Sequence, residues 1–93
     1  MIRSWKSREA ERIWAGEVSK KLPRDIQDVV RRKLRMLHNA NSLSDVRIPP
    51  SNRLEALKGD RAGQHSIRIN DQWRVCFVWT GHDAEQIEIV DYH

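Results

Sequence analysis

The apolar residues of this chain change their spacing partway along the sequence, and that change constrains the fold more than any other feature. Up to residue 37 they recur every three or four positions, the period of a helix, and from residue 65 they alternate with polar residues, the period of a strand. The sequence therefore predicts an α+β fold, with two N-terminal helices packed on one face of a small, largely antiparallel sheet. A length of 93 residues allows one such domain, covering 1–93.

The predicted element order is β-α-α-β-β-β. Ser7 can cap a first helix that Gly16 ends, and Pro23 can open a second helix that ends near Asn39. Residues 41–52, which contain two consecutive prolines, are predicted to form a loop. The predicted strands of this order cover 2–5, 65–69, 73–79 and 86–92, and residues 53–57 can add a further short strand.

Charge is distributed unevenly between the two halves. Residues 1–53 hold 13 Lys/Arg and 6 Asp/Glu, a net +7, whereas residues 54–93 hold 4 Lys/Arg and 7 Asp/Glu, a net −3. The second helix contributes basic residues on the face opposite its apolar stripe: Arg24, Arg31, Arg32 and Arg35. These side chains form either a solvated face or a surface for a polyanion or an acidic protein.

The alternation of the two central strands sets their register. If Ile67 and Ile69 share the core face with Trp73 and Val75, a loop of three residues, 70–72, is required. That register places Arg68 directly opposite Arg74 on the other face, where like charges repel. Two interpretations remain open: a phosphate lies between the two arginines, or they splay apart into solvent.

Composition excludes several classes of function. The single cysteine, Cys76, rules out an internal disulfide and a cysteine-rich zinc site, and no metal-binding or phosphate-binding motif is present. No apolar run reaches the roughly 18 residues of a membrane span. We therefore expect a cytoplasmic protein without a metal or a cofactor.

The last residues combine several reactive side chains. Asp91, Tyr92 and His93 supply an acceptor, an aromatic ring and a group that titrates near neutral pH. They are either the end of a strand held in the sheet or a frayed polar tail. The apolar residues that run up to this tail favour the first alternative.

Four stretches of the sequence resemble one known family. They are Leu57-Lys58-Gly59-Asp60-Arg61-Ala62-Gly63, His65-Ser66-Ile67-Arg68, Gln72-Trp73-Arg74 and Val90-Asp91-Tyr92-His93. Together they resemble the HigB-type killer toxins of the RelE/ParE superfamily of toxin–antitoxin systems, over essentially the whole chain. The resemblance implies a metal-independent endoribonuclease that cleaves messenger RNA in the decoding site of the ribosome.

The resemblance also implies roles for individual residues. Lys58, Arg74, Asp91, Tyr92 and His93 fall on family positions associated with the active site, and Arg68, Arg61, Arg31, Arg32 and Arg35 are expected to bind RNA. The family often has a histidine three residues before the lysine, where this chain has Glu55. The general base is therefore Glu55 or Asp91, with His93 as the expected general acid.

Three functional hypotheses follow. The first is the ribosome-dependent ribonuclease, which the terminal Asp91-Tyr92-His93 and Lys58 favour. The second is a non-enzymatic toxin resembling the ParE branch, which inhibits gyrase by binding. The third is an RNA-binding or ribosome-binding module without cleavage. The family further implies a HigA-like antitoxin of the helix-turn-helix class that neutralises the toxin and represses the operon.

Overall fold

A computed structural model describes residues 1–92 of the chain, and it confirms the predicted α+β fold. Two helices, α1 (Arg8–Trp14) and α2 (Arg24–Asn39), precede a four-stranded sheet. The strands are β1 (Glu55–Ala56), β2 (His65–Arg68), β3 (Trp73–Thr80) and β4 (Asp83–Asp91). Short 3-10 helices occupy Leu43–Arg47, Pro50–Asn52 and Gly59–Arg61, so the predicted loop at 41–52 is partly helical.

The sheet is antiparallel throughout, in the order β1-β2-β3-β4. Ile67 lies opposite Val75, and Arg68 lies opposite Arg74, as the alternation predicts. The Ile69 N–H donates to the Trp73 carbonyl at 2.9 Å and closes the hairpin. The register inferred from the side-chain pattern is thereby confirmed.

The last strand starts three residues earlier than predicted because it contains a β-bulge. The pairing of β3 with β4 shifts between Cys76 and Val78, and Gln86 adopts φ 51°. One extra residue in the strand lets both Ala84 and Ile87 face the core, although they are three positions apart. A strict alternation of apolar and polar residues therefore does not predict the first residues of this strand.

The start of the chain extends the sheet without forming a regular strand. Ile2 and Trp5 make isolated parallel bridges to Ala84 and Ile87 of β4. The Arg3 N–H donates to the Ala84 carbonyl at 2.8 Å, and the Lys6 N–H donates to the Ile87 carbonyl at 2.9 Å. The predicted opening strand is therefore present as two bridges along the edge of β4.

Local signals account for both helices. The Ser7 hydroxyl accepts a hydrogen bond from the Ala10 N–H at 3.2 Å, and Gly16 follows α1 with φ 88°, which glycine adopts without strain. Pro23 is the N-cap residue of α2. The apolar stripe of α2 is buried at four positions and half-buried at two others, Val29 and Met36. The four buried residues are Ile26, Val30, Leu34 and Leu37.

The core lies between the helices and one face of the sheet. Ala10 and Ile13 of α1 and the buried stripe of α2 pack against Ile67, Val75 and Phe77. Alternation along β2 and β3 therefore turns Ser66, Arg74 and Cys76 to the second face, away from the helices. Arg68 leaves β2 on the same face, but it lies at the end of the strand and also borders α2. In residues 1–92, no helix combines the length and the apolar character that a membrane span requires.

We predict that Leu34→Ala lowers the free energy of unfolding by about 2–5 kcal/mol, because the fully buried Leu34 side chain would leave a cavity. Chemical denaturation followed by circular dichroism measures this change. Val18→Ala is the matched control, since Val18 is 50% exposed and its truncation should change stability by less than about 0.5 kcal/mol. Equal effects of the two substitutions would contradict the assignment of the core.

Candidate functional site

Arg74 lies at the centre of the second face of the sheet. It belongs to β3 and is only 8% exposed, although its side chain is charged. One guanidinium nitrogen, Nη1, donates to the Ser66 hydroxyl of the neighbouring strand at 2.6 Å. Ser66 is fully buried, and it lies opposite Cys76 in the register of β2 and β3. The hydrogen bond to its hydroxyl therefore holds the guanidinium in place.

Glu55 supplies a carboxylate next to this guanidinium. It pairs with Ser66 in the register of β1 and β2, which brings its Oε1 within 3.4 Å of Arg74 Nη1. The Glu55 side chain is 53% exposed, so the ion pair faces solvent on its acidic side. The structure thus joins the candidate general base to the candidate phosphate-binding cation.

Tyr92 contacts Arg74 from a different direction. The guanidinium carbon lies 5.4 Å from the centroid of the tyrosine ring, within the range of a cation–π interaction. The Tyr92 N–H donates to the Gln72 carbonyl, which ties the residue after β4 to the β2–β3 hairpin. The ring is nevertheless 40% exposed and is open to a stacking partner.

Asp91 lies at the end of β4 beside the same hairpin. It is the register partner of Trp73, and its carboxylate accepts a hydrogen bond from the Gln72 amide nitrogen at 3.1 Å. His93 lies outside the described residues. The prediction that the strand continues to the C-terminal tail is met as far as Asp91.

The basic turn Lys58–Arg61 is fixed at its second end. Arg61 Nη1 lies 2.9 Å from a Glu88 carboxylate oxygen and donates to the Gln64 side-chain oxygen at 3.1 Å. Glu88 also lies 3.7 Å from Lys6, so this carboxylate connects the turn, β4 and the start of the chain. Lys58, at the first end of the turn, is exposed.

The two arginines that face each other across β2 and β3 point to different acids. Arg68 Nη2 donates to Asp71 at 2.6 Å, whereas Arg74 pairs with Glu55. The hydrogen bond from Arg68 lowers the pKa of the Asp71 carboxyl. In the free chain, therefore, separate carboxylates relieve the repulsion between the arginines, and Arg74 is buried instead of splayed into solvent.

The arginines of α2 divide into different environments. Arg31 donates to the Ile13 carbonyl at 3.2 Å and to Asp28 at 3.0 Å, so it connects the two helices. Arg32 lines a groove between α2 and the β2–β3 hairpin, which Arg68 also lines. Arg35 is exposed and does not line that groove.

Two further reactive side chains, Cys76 and His65, are poorly suited to catalysis. Cys76 is fully buried, and burial raises the pKa of its thiol. His65 is half-buried, and its pKa is lowered by burial and then by the charge of Arg47. Across the part of the chain that the structure describes, no His, Cys, Asp and Glu side chains form a cluster able to hold a metal ion.

Sequence reasoning missed Ser66, Gln72 and Glu88, which hold the candidate site together. The signal for Ser66 is present in the sequence, since it lies two positions before Arg68 and must share its face of the sheet. The contacts of Gln72 with Asp91 and of Glu88 with Arg61 depend on tertiary pairing, which local patterns do not specify.

Residues 3–93 match the family described as the RelE-like toxin of type II toxin–antitoxin system HigB. The chain is also similar to the solved structure of YafQ from E. coli strain BL21(DE3), with a TM-score of 0.66 at 11% identity. That match covers 98% of this chain and 91% of YafQ, and it supports the fold.

Three relatives add sequence similarity. Toxin HigB-1 of Vibrio cholerae is 47% identical over 62% of this chain and 61% of its own length, so the match spans less than two thirds of that relative. An uncharacterized protein of Haemophilus influenzae is 31% identical over 77% of this chain and 71% of its own length. Endoribonuclease HigB of Proteus vulgaris is 28% identical over 100% of both chains.

We predict that Ser66→Ala lowers the free energy of unfolding by about 1–3 kcal/mol, because the Arg74 guanidinium would lose a buried hydrogen-bond acceptor. Urea denaturation of the purified protein measures the loss. Ser44→Ala serves as the control, since Ser44 is exposed and should lose less than about 0.5 kcal/mol. Wild-type stability of Ser66→Ala would show that the hydroxyl does not support the guanidinium.

Proposed function

The chain belongs to the HigB-like family of RelE-like toxins from type II toxin–antitoxin systems, and we propose that it inhibits translation by cleaving messenger RNA in the decoding site of the ribosome. The observation that carries the proposal is the fixed guanidinium of Arg74, with the Glu55 carboxylate and the Tyr92 ring beside it. A relative that covers the whole chain is named an endoribonuclease, which supports the same reaction.

Arg74 is suited to bind the phosphate that is cleaved. A guanidinium presents five N–H donors in a planar fork that matches phosphate oxygens. Glu55 is half exposed and lies 3.4 Å from Arg74, a long contact that a phosphate group can replace. Since Ser66 already orients the guanidinium, binding a phosphate would require little further ordering of this side chain.

Displacement of Glu55 by the phosphate also places a free carboxylate beside the reacting atoms. The 2′-hydroxyl oxygen forms a bond to phosphorus, and its proton passes to a general base, for which Glu55 and Asp91 are the candidates. The bond from phosphorus to the 5′-oxygen then breaks, and that oxygen receives a proton from a general acid. We assign the acid role to His93, whose imidazolium carries a transferable proton near neutral pH.

Cations stabilise the negative charge that develops on the phosphorane. We assign the central role to Arg74, with help from Arg68, which lies opposite it on β2, and from Lys58, which lies in the turn between β1 and β2. Each contribution of this kind is worth roughly 10²–10³-fold in rate. Tyr92 offers an exposed ring face on which a base of the RNA can stack.

The remaining basic residues have more peripheral roles. The contact of Arg61 with Glu88 favours anchoring of the Lys58–Arg61 turn over direct RNA binding. The bond of Arg31 to the Ile13 carbonyl similarly favours bracing of the helices. Arg32 and Arg35 are exposed on α2 and are the residues of that helix that we assign to RNA.

Membership of a type II toxin–antitoxin family implies a protein antitoxin as a partner. We propose a HigA-like protein of the helix-turn-helix class for this role. The ribosome and messenger RNA are the targets in the same proposal, which places the protein in the cytoplasm.

We predict that His93→Ala reduces cleavage of ribosome-bound messenger RNA by about 10²–10⁴-fold, because the leaving 5′-oxygen would lose its proton donor. Wild type and variant are expressed under tight control, and new 5′ ends of messenger RNA are mapped with and without ribosomes. Cleavage by the wild type should require ribosomes.

His82→Ala is the matched control for this experiment. His82 is exposed in the turn before β4, and its ring contacts the Asn41 carbonyl. It should cleave like the wild type. Equal toxicity of all three proteins without new RNA ends would refute the nuclease assignment.

A further inference from the structure

A groove outside the Arg74 site runs between α2 and the end of the β2–β3 hairpin. Its volume is about 410 Å³. Apolar side chains from both elements form part of its wall, and basic side chains and one serine form the rest. The lining residues are Val29, Arg32, Lys33, Met36, Ser51, Arg68 and Ile69.

Positive charge is concentrated in this groove. Arg32 and Lys33 come from α2, and Arg68 comes from β2, so both halves of the chain contribute. Burial lowers the pKa of Lys33, and the charges of Arg32 and Arg68 lower it further. None of the lining residues is acidic. Asp71 contacts Arg68 from outside the lining, and its side chain is almost wholly exposed, at 99%.

The position of Lys33 is built into the fold. Its ammonium group donates to the side-chain oxygen of Asn52, which is fully buried. The Asn52 side-chain nitrogen in turn donates to the Val46 carbonyl at 3.0 Å. A lysine that extended only into solvent would have no such support.

The groove adjoins the proposed active site through one residue, Arg68. Arg68 lines the groove and is also the register partner of Arg74. Neighbouring strands lie about 5 Å apart, so a chain with its phosphate on Arg74 can reach Arg68 within a short distance. This shared position favours a nucleic acid strand as the occupant, because a strand with one phosphate on Arg74 brings its next phosphates toward Arg68, whereas an acidic protein segment in the groove has no need of Arg74.

We propose that this groove binds a backbone phosphate of the RNA next to the cleaved phosphate, with Arg32, Lys33 and Arg68 as its cationic partners. The apolar wall packs against the adjoining sugar and base. Asp71 releases Arg68 when the phosphate binds. The proposal rests on the proposed function, since it concerns a second subsite for the same RNA substrate.

Salt dependence of RNA binding tests the groove. The probe is a fluorescent single-stranded RNA of about eight nucleotides, with 2′-O-methyl riboses that block attack by the 2′-oxygen. For single strands, each phosphate contact contributes about 0.7 to the slope of log affinity against log salt. Arg32→Gln and Lys33→Gln should each lower this slope by about 0.7 and weaken binding about fourfold at roughly 0.15 M salt.

Arg24→Gln is the matched control, because it removes the same charge from the same helix outside the groove. Its slope and affinity should equal those of the wild type. Arg32 is exposed, so Arg32→Gln should fold like the wild type. Lys33→Gln removes the contact with Asn52 and is the variant whose stability can fall. Thermal unfolding of each variant checks this point.

The outcomes separate this proposal from the proposed function. Wild-type slopes for Arg32→Gln and Lys33→Gln, with wild-type RNA cleavage on ribosomes, would overturn the groove alone. Loss of antitoxin binding with unchanged RNA slopes would also overturn it, because the occupant would be a protein. Absence of both RNA binding and new RNA ends in the wild type would overturn both proposals.

Discussion

The candidate site depends on the burial of the Arg74 guanidinium on the second face of the sheet. A charged group that is 8% exposed requires hydrogen-bond partners, because an uncompensated buried charge costs several kcal/mol. Ser66 supplies an acceptor at 2.6 Å, and Glu55 supplies a carboxylate at 3.4 Å. The short strand β1 contributes to the site because it brings Glu55 alongside Ser66.

The division of charge between the two halves acquires a structural meaning. The basic N-terminal half covers the core face of the sheet with its helices, so its positive charge does not reach Arg74 directly. It contributes Arg32 and Lys33 to the groove, where they meet Arg68 from the other half. The less basic C-terminal half contributes Arg74 and Lys58, together with the carboxylates that hold the arginines in place. The +7 and −3 halves thus meet along one proposed path for RNA.

Local patterns were sufficient for most of the fold. The caps at Ser7 and Pro23 and the pairing of Arg68 with Arg74 depend on side-chain spacing and turn length, which are visible in the sequence. The start of β4 was not predictable in this way, because the bulge at Gln86 interrupts the period of two. The partners of the arginines were also missed. Glu88 and Arg61 are far apart in sequence, and only the folded sheet brings them within 2.9 Å.

Replacement of Arg74 by lysine is the most direct test of the central claim, that an oriented guanidinium binds the phosphate to be cleaved. Lysine keeps the positive charge but lacks the planar fork of donors. Single-turnover cleavage of messenger RNA on ribosomes should slow by about 10²–10³-fold for Arg74→Lys, and it should not change for Arg24→Lys. Wild-type cleavage by a folded Arg74→Lys protein would contradict the account.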